Sequence, residues 1–579
     1  MRARWLGFGL IGSLFCACAS NTSVVGGDVS FADAASDGYG SPVDSSNSSD
    51  VPRGVPEDAA SDVVPSLTLL FASPMCSGAD EIPLPFSDPQ SGPHTYGDYR
   101  CQSAGALTST ITGDWPDTAS ARRPLVFVKV GGTGDGSSPA SPLPTIAAGL
   151  TALAAQGNGT LVLSAESHTM DTSATIAADI AVLGVAGRTH IAAGSTSPAF
   201  DVVPATGTSA SLTLNGIEFD GATGYVGSML HASAGSTLVL RDVVVDQAQD
   251  AITADAAVVD AVGVTLRNLT GHGVNLGLNG DGRLRSMAIH GGSHGIFADH
   301  ARVSASMVGI FGAGIGIAIM SDTAASASLD RVAALDSGKL GIALDGAGLT
   351  VTAQRLMVAG THYDSTDGAG IGLLVRNHAA LSLDADITND TMQGRGSQIR
   401  ANEATGIVID DGAHAEMHGL LIASNGQSGI VIQNSAVVGN IGESFFQDNL
   451  GVGLMVSTGG SIAGLLCNGF VANRGGMMRF GTGGFRMQDG ADIEPGAGHR
   501  FTMTVANSMF FGHEGYGLLC SGIDATIVGS TFMNNGVGWA LFDGNAMPQD
   551  NNISGNREAP PAMFVGEVPG AVTSTLGIR

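Results

Sequence analysis

Positive charge is scarce in this sequence. Lys and Arg make up 25 of the 579 residues, and only Lys129 and Lys339 are lysines, against 52 Asp or Glu, so the formal net charge is −27. A chain of this charge is repelled by phosphate backbones and by anionic headgroups. Nucleic acid is therefore excluded as an expected partner.

Aromatic residues (5%) and charged residues (13%) are also few, whereas glycine is abundant, with 85 residues. The glycines lack the period of three that a collagen helix needs, so that class is excluded. The sequence also lacks the heptads of a coiled coil, the leucine framework of leucine-rich repeats and the glycine-rich nonapeptide that binds calcium. Glycine combined with Val, Ile, Leu and Ala is typical of short buried strands joined by tight turns.

The N-terminus carries a short apolar run, Leu6–Ala17, behind Arg2 and Arg4. Twelve residues are too few to cross a bilayer, which takes about 20. The combination predicts a signal peptide over residues 1–18 and an exported protein. We expect it at the outer membrane or cell surface; the alternative is a periplasmic or secreted location.

Cys18 follows Ala17 and precedes Ala19 and Ser20, a pattern that resembles the lipidated cysteine of bacterial lipoproteins. The resemblance implies lipidation at Cys18 and membrane contact through that anchor alone. The alternative is cleavage after a nearby small residue and release of a free chain. Residues 19–65 contain eight acids against Arg53, which predicts a disordered acidic linker.

Glycine followed by an apolar residue recurs every 21 to 34 residues in the second half of the chain. The first and third positions after each glycine are apolar, and alternate residues of a strand face the same way. Stacked coils would bury both columns as a linear core. The sequence therefore predicts an all-β fold, a single-stranded right-handed parallel β-helix over residues 126–544. The glycines are Gly273, Gly295, Gly316, Gly341, Gly372, Gly406, Gly429, Gly453, Gly484, Gly517 and Gly538.

Two further columns follow from the same register. Asparagines recur four residues before the glycine, which predicts a buried amide ladder along one corner; they are Asn402, Asn425, Asn449 and Asn534. The second position after glycine faces outward and is apolar, apart from Asn275 and Arg486. Loops or a partner are expected to cover this outward stripe, and self-association through it is one hypothesis.

The segment Val126–Leu150 (VFVKVGGTGDGSSPASPLPTIAAGL) resembles the opening coil of bacterial right-handed β-helix proteins of the pectin-lyase-like superfamily. The resemblance implies a capping helix from about Thr145 to Ala155, with Ile146, Leu150 and Leu153 on its buried face. Residues 66–125 form a small N-terminal segment in which a disulfide between Cys76 and Cys101 is expected in an oxidising compartment. Residues 545–579 are expected to be a C-terminal cap and tail.

The resemblance also suggests polysaccharide cleavage, but the motifs of the polygalacturonases are not in order. Gly271-His272-Gly273 precedes Asp410-Asp411, the Arg-Ile-Lys motif is missing, and Thr388-Asn389-Asp390 is a scrambled form of Asn-Thr-Asp. Asp410-Asp411 and Asp299-His300 both fall at repeat turns, which favours a structural role. No catalytic residue, cofactor or metal site is assigned, and nothing in the sequence supports calcium binding.

Inserted loops within residues 361–400 offer the best place for a reactive site. Their polar residues are His362, Tyr363, Asp364, Asp367, Asp386, Asp390, Arg395 and Arg400. The leading hypothesis is a non-catalytic cell-envelope β-helix protein that is structural, adhesive or glycan-contacting, with a polysaccharide or surface partner. The alternative is a polysaccharide lyase or glycoside hydrolase that uses these loops.

Overall fold

The computed structural model describes residues 75–85, 99–106, 113–194, 198–363, 370–384, 396–473, 490–494, 499–513, 515–542 and 544–556. The predicted signal peptide, Cys18 and the acidic linker lie outside these residues. In the described part of the chain, no helix is both long and apolar enough to cross a membrane.

Almost all regular structure is β. The strands are β1 (Glu81–Pro85), β2 (Tyr99–Ser103), β3 (Leu125–Val128), β4 (Asn158–Leu163), β5 (Ser167–Met170), β6 (Ala174–Ile176), β7 (Asp179–Leu183), β8 (His190–Ala193), β9 (Phe200–Val202), β10 (Ala210–Asn215), β11 (Glu218–Gly221), β12 (Ser228–Ala232), β13 (Ser236–Asp246), β14 (Asp250–Ala254), β15 (Val258–Leu269), β16 (His272–Leu276), β17 (Asp281–Gly291), β18 (His294–Asp299), β19 (Arg302–Phe311), β20 (Ile315–Met320), β21 (Ala325–Leu335), β22 (Leu340–Asp345), β23 (Leu349–Gln354), β24 (Met357–Ala359), β25 (Ile371–Arg376), β26 (Ala380–Leu383), β27 (Gln398–Arg400), β28 (Ile407–Ile409), β29 (His414–His418), β30 (Leu421–Ala423), β31 (Ile430–Ile432), β32 (Val437–Gly442), β33 (Phe445–Gln447), β34 (Leu454–Ser457), β35 (Ser461–Leu466), β36 (Gly469–Val471), β37 (Ala491–Glu494), β38 (Thr502–Ala506), β39 (Met509–Phe511), β40 (Tyr516–Ser521), β41 (Asp524–Val528), β42 (Thr531–Met533), β43 (Val537–Phe542), β44 (Ala546–Gln549) and β45 (Asn552–Ser554). The helix α1 spans Ile146–Ala154.

The strands from β3 onward wind into a right-handed parallel β-helix with three faces. Face C is a 15-stranded sheet that runs from β6 to β43. The other two faces join into one 28-stranded sheet: face A includes β4, β7 and β10, and face B includes β5, β8 and β11. In several coils, such as the one containing β15, a single long strand bends from face A to face B. The predicted fold class is confirmed.

The two inward columns of face C are confirmed. Val274, Ile296 and Ile317 pair in consecutive coils, as do Leu276, Ala298 and Ile319, and all six are fully buried. One coil departs from the predicted register, because Gly490 and not Gly484 precedes the inward pair Ala491 and Ile493. Gly484 lies outside the described residues.

The repeat glycines stand in a column where coils approach too closely for a side chain. A Cβ built on Gly429 would lie 2.4 Å from the carbonyl oxygen of Gly453, and a Cβ on Gly453 would lie 2.6 Å from that of Gly490. The same clash with the next glycine's carbonyl recurs from Gly273 to Gly517. Close backbone approach, rather than a left-handed conformation, explains the periodic glycine.

The amide ladder is present and longer than predicted. Asn402 donates its side-chain Nδ2 to Oδ1 of Asn425, which donates likewise to Asn449, at 2.9 and 2.8 Å. The ladder continues through four residues that were not predicted from the sequence: Asn473, His513, Asn535 and Asn556. The prediction of Asn534 was wrong by one position. Asn534 takes the left-handed corner conformation with φ 56°, and the next residue, Asn535, turns inward.

A second polar ladder, unforeseen in the sequence, follows the corner between faces A and B. Backbone N–H groups donate to the side chain one coil further along: Ser444 to Asn468, Asn468 to Ser508, and Ser508 to Ser530. Between the two ladders, the buried rings of Phe446, Phe470, Phe510 and Phe532 stack at 4.4, 4.8 and 4.9 Å. The C-terminal coils are thus held together by buried polar and aromatic columns.

The N-terminal end of the core is closed by α1, as predicted. Thr145 caps the helix, its Oγ1 accepting a hydrogen bond from the Ala148 N–H at 3.2 Å. Ile146 and Leu153 are buried against the first coil. Covering an exposed sheet edge in this way prevents further strand pairing.

The hairpin β1–β2 packs on the outside of face B. Cys76 and Cys101, the pair expected from the sequence, are joined by a disulfide. Ile82 and Leu84 form a small core with apolar outward residues of face B, among them Leu335 and Met357. Polar contacts anchor the hairpin further: Asp80 accepts hydrogen bonds from Thr265 and contacts His290 Nε2 at 3.0 Å.

The coils continue beyond residue 544, the predicted end of the β-helix. β44 pairs in parallel with β41, and β45 pairs with β42. At least residues 546–554 therefore belong to the β-helix. The rest of the predicted C-terminal tail, from residue 557, lies outside the described residues.

Candidate functional site

The N-terminal half of face C carries polar side chains and one phenylalanine on its outer surface. Two outward columns meet there, and we call them together the polar strip; its members are Asp201, Ser228, His231, Asp250, Thr253, His272, Asn275, His294 and Phe297. Parallel pairing fixes their neighbours: His231 lies between Asp201 and Thr253. The strip crosses five strands, from β9 to β18, or roughly 20 Å at about 4.8 Å per coil.

His231 is the centre of the first part of the strip. Its Nδ1 contacts Oδ1 of Asp201 at 2.7 Å, and its Nε2 lies 3.5 Å from Oδ2 of Asp255 in the next coil. The His231 and Asp201 side chains retain 27% and 28% of their exposure. Beside them, the hydroxyls of Ser228 and Thr253 are hydrogen-bonded at 2.6 Å. Hydrogen-bond donors and acceptors therefore lie side by side on an accessible surface.

The second part of the strip is aromatic. The imidazoles of His272 and His294 stack with 5.1 Å between centroids, and both contact the ring of Phe297 at 5.4 and 5.2 Å. Asp250 orients His272, because its Oδ1 accepts the His272 backbone N–H at 2.7 Å and contacts Nδ1 at 2.8 Å. This leaves the other ring nitrogen of His272 free of that carboxylate.

The environment sets the charges in this part. Burial raises the pKa of Asp250, but hydrogen bonds from His272 outweigh it, so the pKa falls below its ordinary value. Burial, followed by repulsion from His272, lowers the pKa of His294. His294 is therefore neutral at pH 7 and presents an apolar ring face with polar edges, which suits stacking and directional hydrogen bonds.

Further along, the same outward columns are apolar and covered. Leu374, Val408 and Val431 are 2%, 0% and 3% exposed and pack together. The predicted apolar stripe is present, but Asp492 occupies the position predicted for Arg486, because the register shifts with Gly490. Among the described residues, the polar N-terminal half of face C is thus more accessible than the covered columns around Leu374, Val408 and Val431.

The catalytic motifs considered from the sequence lie in two places, the polar strip and the corners of the coils. His272 of Gly271-His272-Gly273 belongs to the polar strip. Asp410 and Asp411 sit at a corner: Asp410 Oδ1 accepts from the Asp411 N–H and from Asn434, and Asp411 has φ 47°. Asp299 contacts the ring of His300 at 2.6 Å at an equivalent corner.

The inserted loops do not gather their predicted residues into a groove within the described chain. His362 contacts Glu403 at 3.2 Å, and the Tyr363 N–H donates to the same carboxylate at 2.7 Å. Arg400 is 2% exposed and lies under the Tyr99 ring of the hairpin, 5.4 Å from its centroid, so it does not reach the surface. Asp364, Asp367, Asp386, Asp390 and Arg395 lie outside the described residues, as does Thr388-Asn389-Asp390.

The sequence prediction did not include Asp201 and His231, because it followed the column of second positions only from Gly273 onward. Asp250 lies in the neighbouring outward column, one position before the glycine position, which was not predicted to carry a site. Upstream coils have no glycine at that position. The inward pair of apolar residues continues into these upstream coils without a preceding glycine, first as Ile252 and Ala254 and then as Leu230 and Ala232. This pair was a usable signal in the sequence. The residue between each pair faces outward, which places His231 and Thr253 in the strip.

Comparison with known proteins finds no matching family model and no matching curated protein. Among solved structures, the chain is similar to the A-module of the mannuronan C-5 epimerase AlgE6 of Azotobacter vinelandii, with 13% identity, 76% of this chain and 100% of that one covered, and a TM-score of 0.25. It is also similar to tailspike protein 3 of bacteriophage CBA120 (12% identity, 77% and 62% covered, TM-score 0.30) and to the catalytic domain of a GH87 alpha-1,3-glucanase (12% identity, 82% and 73% covered, TM-score 0.25). At these identities and TM-scores the likeness does not extend to function.

Proposed function

We propose that the protein is an exported, non-catalytic β-helix that contacts a glycan along the polar strip of face C. The observation that carries the proposal is the combination of accessible carboxylate, imidazole and hydroxyl groups with the ring cluster of His272, His294 and Phe297 in two adjacent outward columns. Sites for small polar ligands combine a few placed hydrogen-bonding groups with apolar or aromatic surface. The outward positions of the polar strip repeat once per coil, which suits a polysaccharide with repeating sugar units.

Charge favours a neutral glycan over an anionic one. The strip contains Asp201 and Asp250 and is flanked by Asp255, while the whole chain carries a formal net charge of −27. His231 lies between two of these carboxylates, with its Nδ1 2.7 Å from Asp201 and its Nε2 3.5 Å from Asp255. A polyuronate or sulfated glycan would be repelled at long range.

The non-catalytic part of the proposal rests on the described loops. A lyase or hydrolase at residues 361–400 would need accessible polar groups that converge on one bond. Arg400 is buried under the hairpin, and His362 is engaged by Glu403. Release of shortened products from any polysaccharide would favour the enzymatic alternative instead.

Binding is best tested with the exported chain on a panel of neutral and anionic polysaccharides, by affinity electrophoresis and calorimetry. We expect a neutral polymer to bind, and His231→Ala and Phe297→Ala each to weaken binding at least tenfold. Tyr363→Ala removes an exposed aromatic ring (49% exposed) far from the strip and is the matched control. Equal affinity of all three variants, or preferential binding of anionic polymers, would count against the proposal.

Lipidation at Cys18 belongs to the same proposal, with the acidic linker of residues 19–65 as the tether between anchor and β-helix. Fractionation of cells that express the wild type or Cys18→Ala tests it. The wild type is expected in the membrane fraction and the variant in the soluble exported fraction. Equal release of both would leave an exported protein without an anchor.

A further inference from the structure

Three possible metal ligands converge on face B, where its strands β8 and β11 begin beside face A. His190 begins β8 and pairs directly with Glu218, which begins β11; Asp220 follows two residues later on the same outward side. His190 Nδ1 lies 3.6 Å from Glu218 Oε2 and 3.4 Å from Asp220 Oδ2. All three donor atoms lie within 4.8 Å of one another.

These separations suit ligands of one ion better than direct hydrogen bonds. A charge-assisted N–H···O bond is about 2.7–2.9 Å long. Two ligands on a tetrahedral ion with bonds of about 2.0–2.1 Å lie roughly 3.3 Å apart. The same histidine approaches two carboxylates at nearly this distance and hydrogen-bonds to neither, whereas the pairs His231–Asp201 and His272–Asp250 close to 2.7 and 2.8 Å.

A neighbouring ion-pair network orients one of the carboxylates. Arg267 donates to Oε1 of Glu218 at 2.7 Å and to Oδ2 of Asp246 at 2.8 Å, and Asn268 donates to the other oxygen of Asp246. Glu218 therefore has one oxygen held and the other turned toward His190. Such outer hydrogen bonds are typical of metal sites, where they fix the direction of the ligands.

Charge and exposure agree with a bound divalent cation. The carboxylates of Glu218, Asp220 and Asp246 and the guanidinium of Arg267 together carry a net charge of −2 when His190 is neutral. The side chains of His190 and Asp220 keep 34% and 45% of their exposure, which leaves an entry path and room for coordinated water. Glu218, at 14%, forms the floor of the site.

We propose that His190, Glu218 and Asp220 bind a first-row transition-metal dication, with Zn²⁺ as the reference ion. One imidazole and two carboxylates suit this class. Ca²⁺ takes six to eight oxygen ligands, which the three side chains do not supply. The ion would join two adjacent coils near the N-terminal end of the β-helix. The proposal is independent of the glycan proposal, because the ligands lie on a different face.

Calorimetric titration of the chelator-treated, full-length exported chain with ZnCl₂, and separately with CaCl₂, tests the site. We expect saturable zinc binding that is lost in His190→Ala and at least tenfold weaker in Asp220→Asn, and weak or no calcium binding. His362→Ala removes an exposed histidine that, among the described residues, contacts the carboxylate of Glu403, so it is the matched control and should bind as the wild type does. Zinc should also raise the melting temperature of the wild type and of His362→Ala but not of His190→Ala.

Two outcomes would overturn the site. One is the absence of saturable zinc binding in the wild type. The other is unchanged binding in both His190→Ala and Asp220→Asn, which would assign the zinc to other histidines. Circular dichroism shows whether each variant is folded, and Asp220→Asn keeps the shape of the side chain, so a loss of binding in that variant reports on ligation.

Discussion

The side-chain amide of Asn449 donates a 2.8 Å hydrogen bond to Oδ1 of Asn473, one coil further along the helix. Asn449 also donates to the carbonyl of Ile422 and accepts from the backbone and side chain of Asn425. One fully buried side chain thus satisfies polar groups in the coil before it and in the coil after it.

Asn449→Ala should destabilise the protein by about 3 kcal/mol, because it leaves the Asn425 N–H and the Ile422 carbonyl buried without their partner. Chemical denaturation followed by circular dichroism measures the change. Asn440→Ala is the control, since Asn440 lies exposed on β32, and it should change stability by less than about 0.5 kcal/mol. Similar values for the two variants would contradict the ladder's role.

Gly429→Ala should cost about 3 kcal/mol, because the new Cβ would lie 2.4 Å from the backbone oxygen of Gly453 and the coils would have to separate. Gly419 differs: its φ is 64° and nothing lies within 4 Å of a Cβ there. Gly419→Asn should therefore cost less than about 1 kcal/mol, since Asn tolerates left-handed backbone. Thermal unfolding of both variants makes the comparison, and a smaller loss at Gly429 than at Gly419 would refute close approach as the cause.

The buried side chain of His513 is expected to make the folded protein less stable in acid. Burial lowers the pKa of His513 from 6.5 to about 4, so the folded protein keeps the ring neutral. Between pH 6.5 and 4 the unfolded chain binds a proton that the folded chain does not, and stability falls by about 3 kcal/mol as the pH drops through this range.

His513→Asn should abolish this contribution, because asparagine occupies the equivalent position in the neighbouring coils, at Asn473 and Asn535. Urea denaturation of wild type and variant from pH 7.5 to 4.5 gives the difference. Burial raises the pKa of Asp384 to about 6, so Asp384 increases the stability of the folded protein as the pH falls. This effect is the same in the wild type and the variant, and it cancels in their difference. Parallel pH profiles of the two proteins would show that His513 is not the titrating group.

The hairpin should open independently of the β-helix. Ile82 is fully buried over Gly309 of face B, and Ile82→Asp places a charge in that contact. We expect faster trypsin cleavage after Arg100 with little change in the circular dichroism of the coils, which keep their own core. Gln102→Asp adds the same charge at an exposed position and should be cleaved at the wild-type rate. If Ile82→Asp were equally resistant, the hairpin would not depend on this contact.

The inward columns could be predicted from the sequence because strand alternation and glycine spacing both specify them. The pattern failed where two residues compete for one position. Gly484 and Gly490 both precede an apolar residue, and only contact with the next coil at Gly517 selects Gly490. Asn534 and Asn535 are adjacent amides, and the left-handed corner at Asn534 decides which one turns inward.

The candidate site was less predictable, since it depends on which outward surfaces stay accessible. His231 and Asp201 are 30 residues apart in sequence and meet only because β9 and β12 pair in a fixed register. Arg400 looks like a loop residue in the sequence, yet the hairpin covers it from more than 290 residues away. Burial of this kind comes from tertiary packing and leaves no local periodicity.

The asparagine ladder shows that the number of residues in a coil does not determine how far that coil rises along the helix axis. Steps of 23, 24, 24, 22 and 21 residues close the ladder in most coils, and a step of 40 residues closes it between Asn473 and His513. Sixteen extra residues thus leave the ladder continuous, with Asn473 Nδ2 3.5 Å from His513 Nε2. Such a scaffold can accept or lose whole surface segments during evolution while its internal columns stay in alignment, so its outer surface is free to change faster than its core.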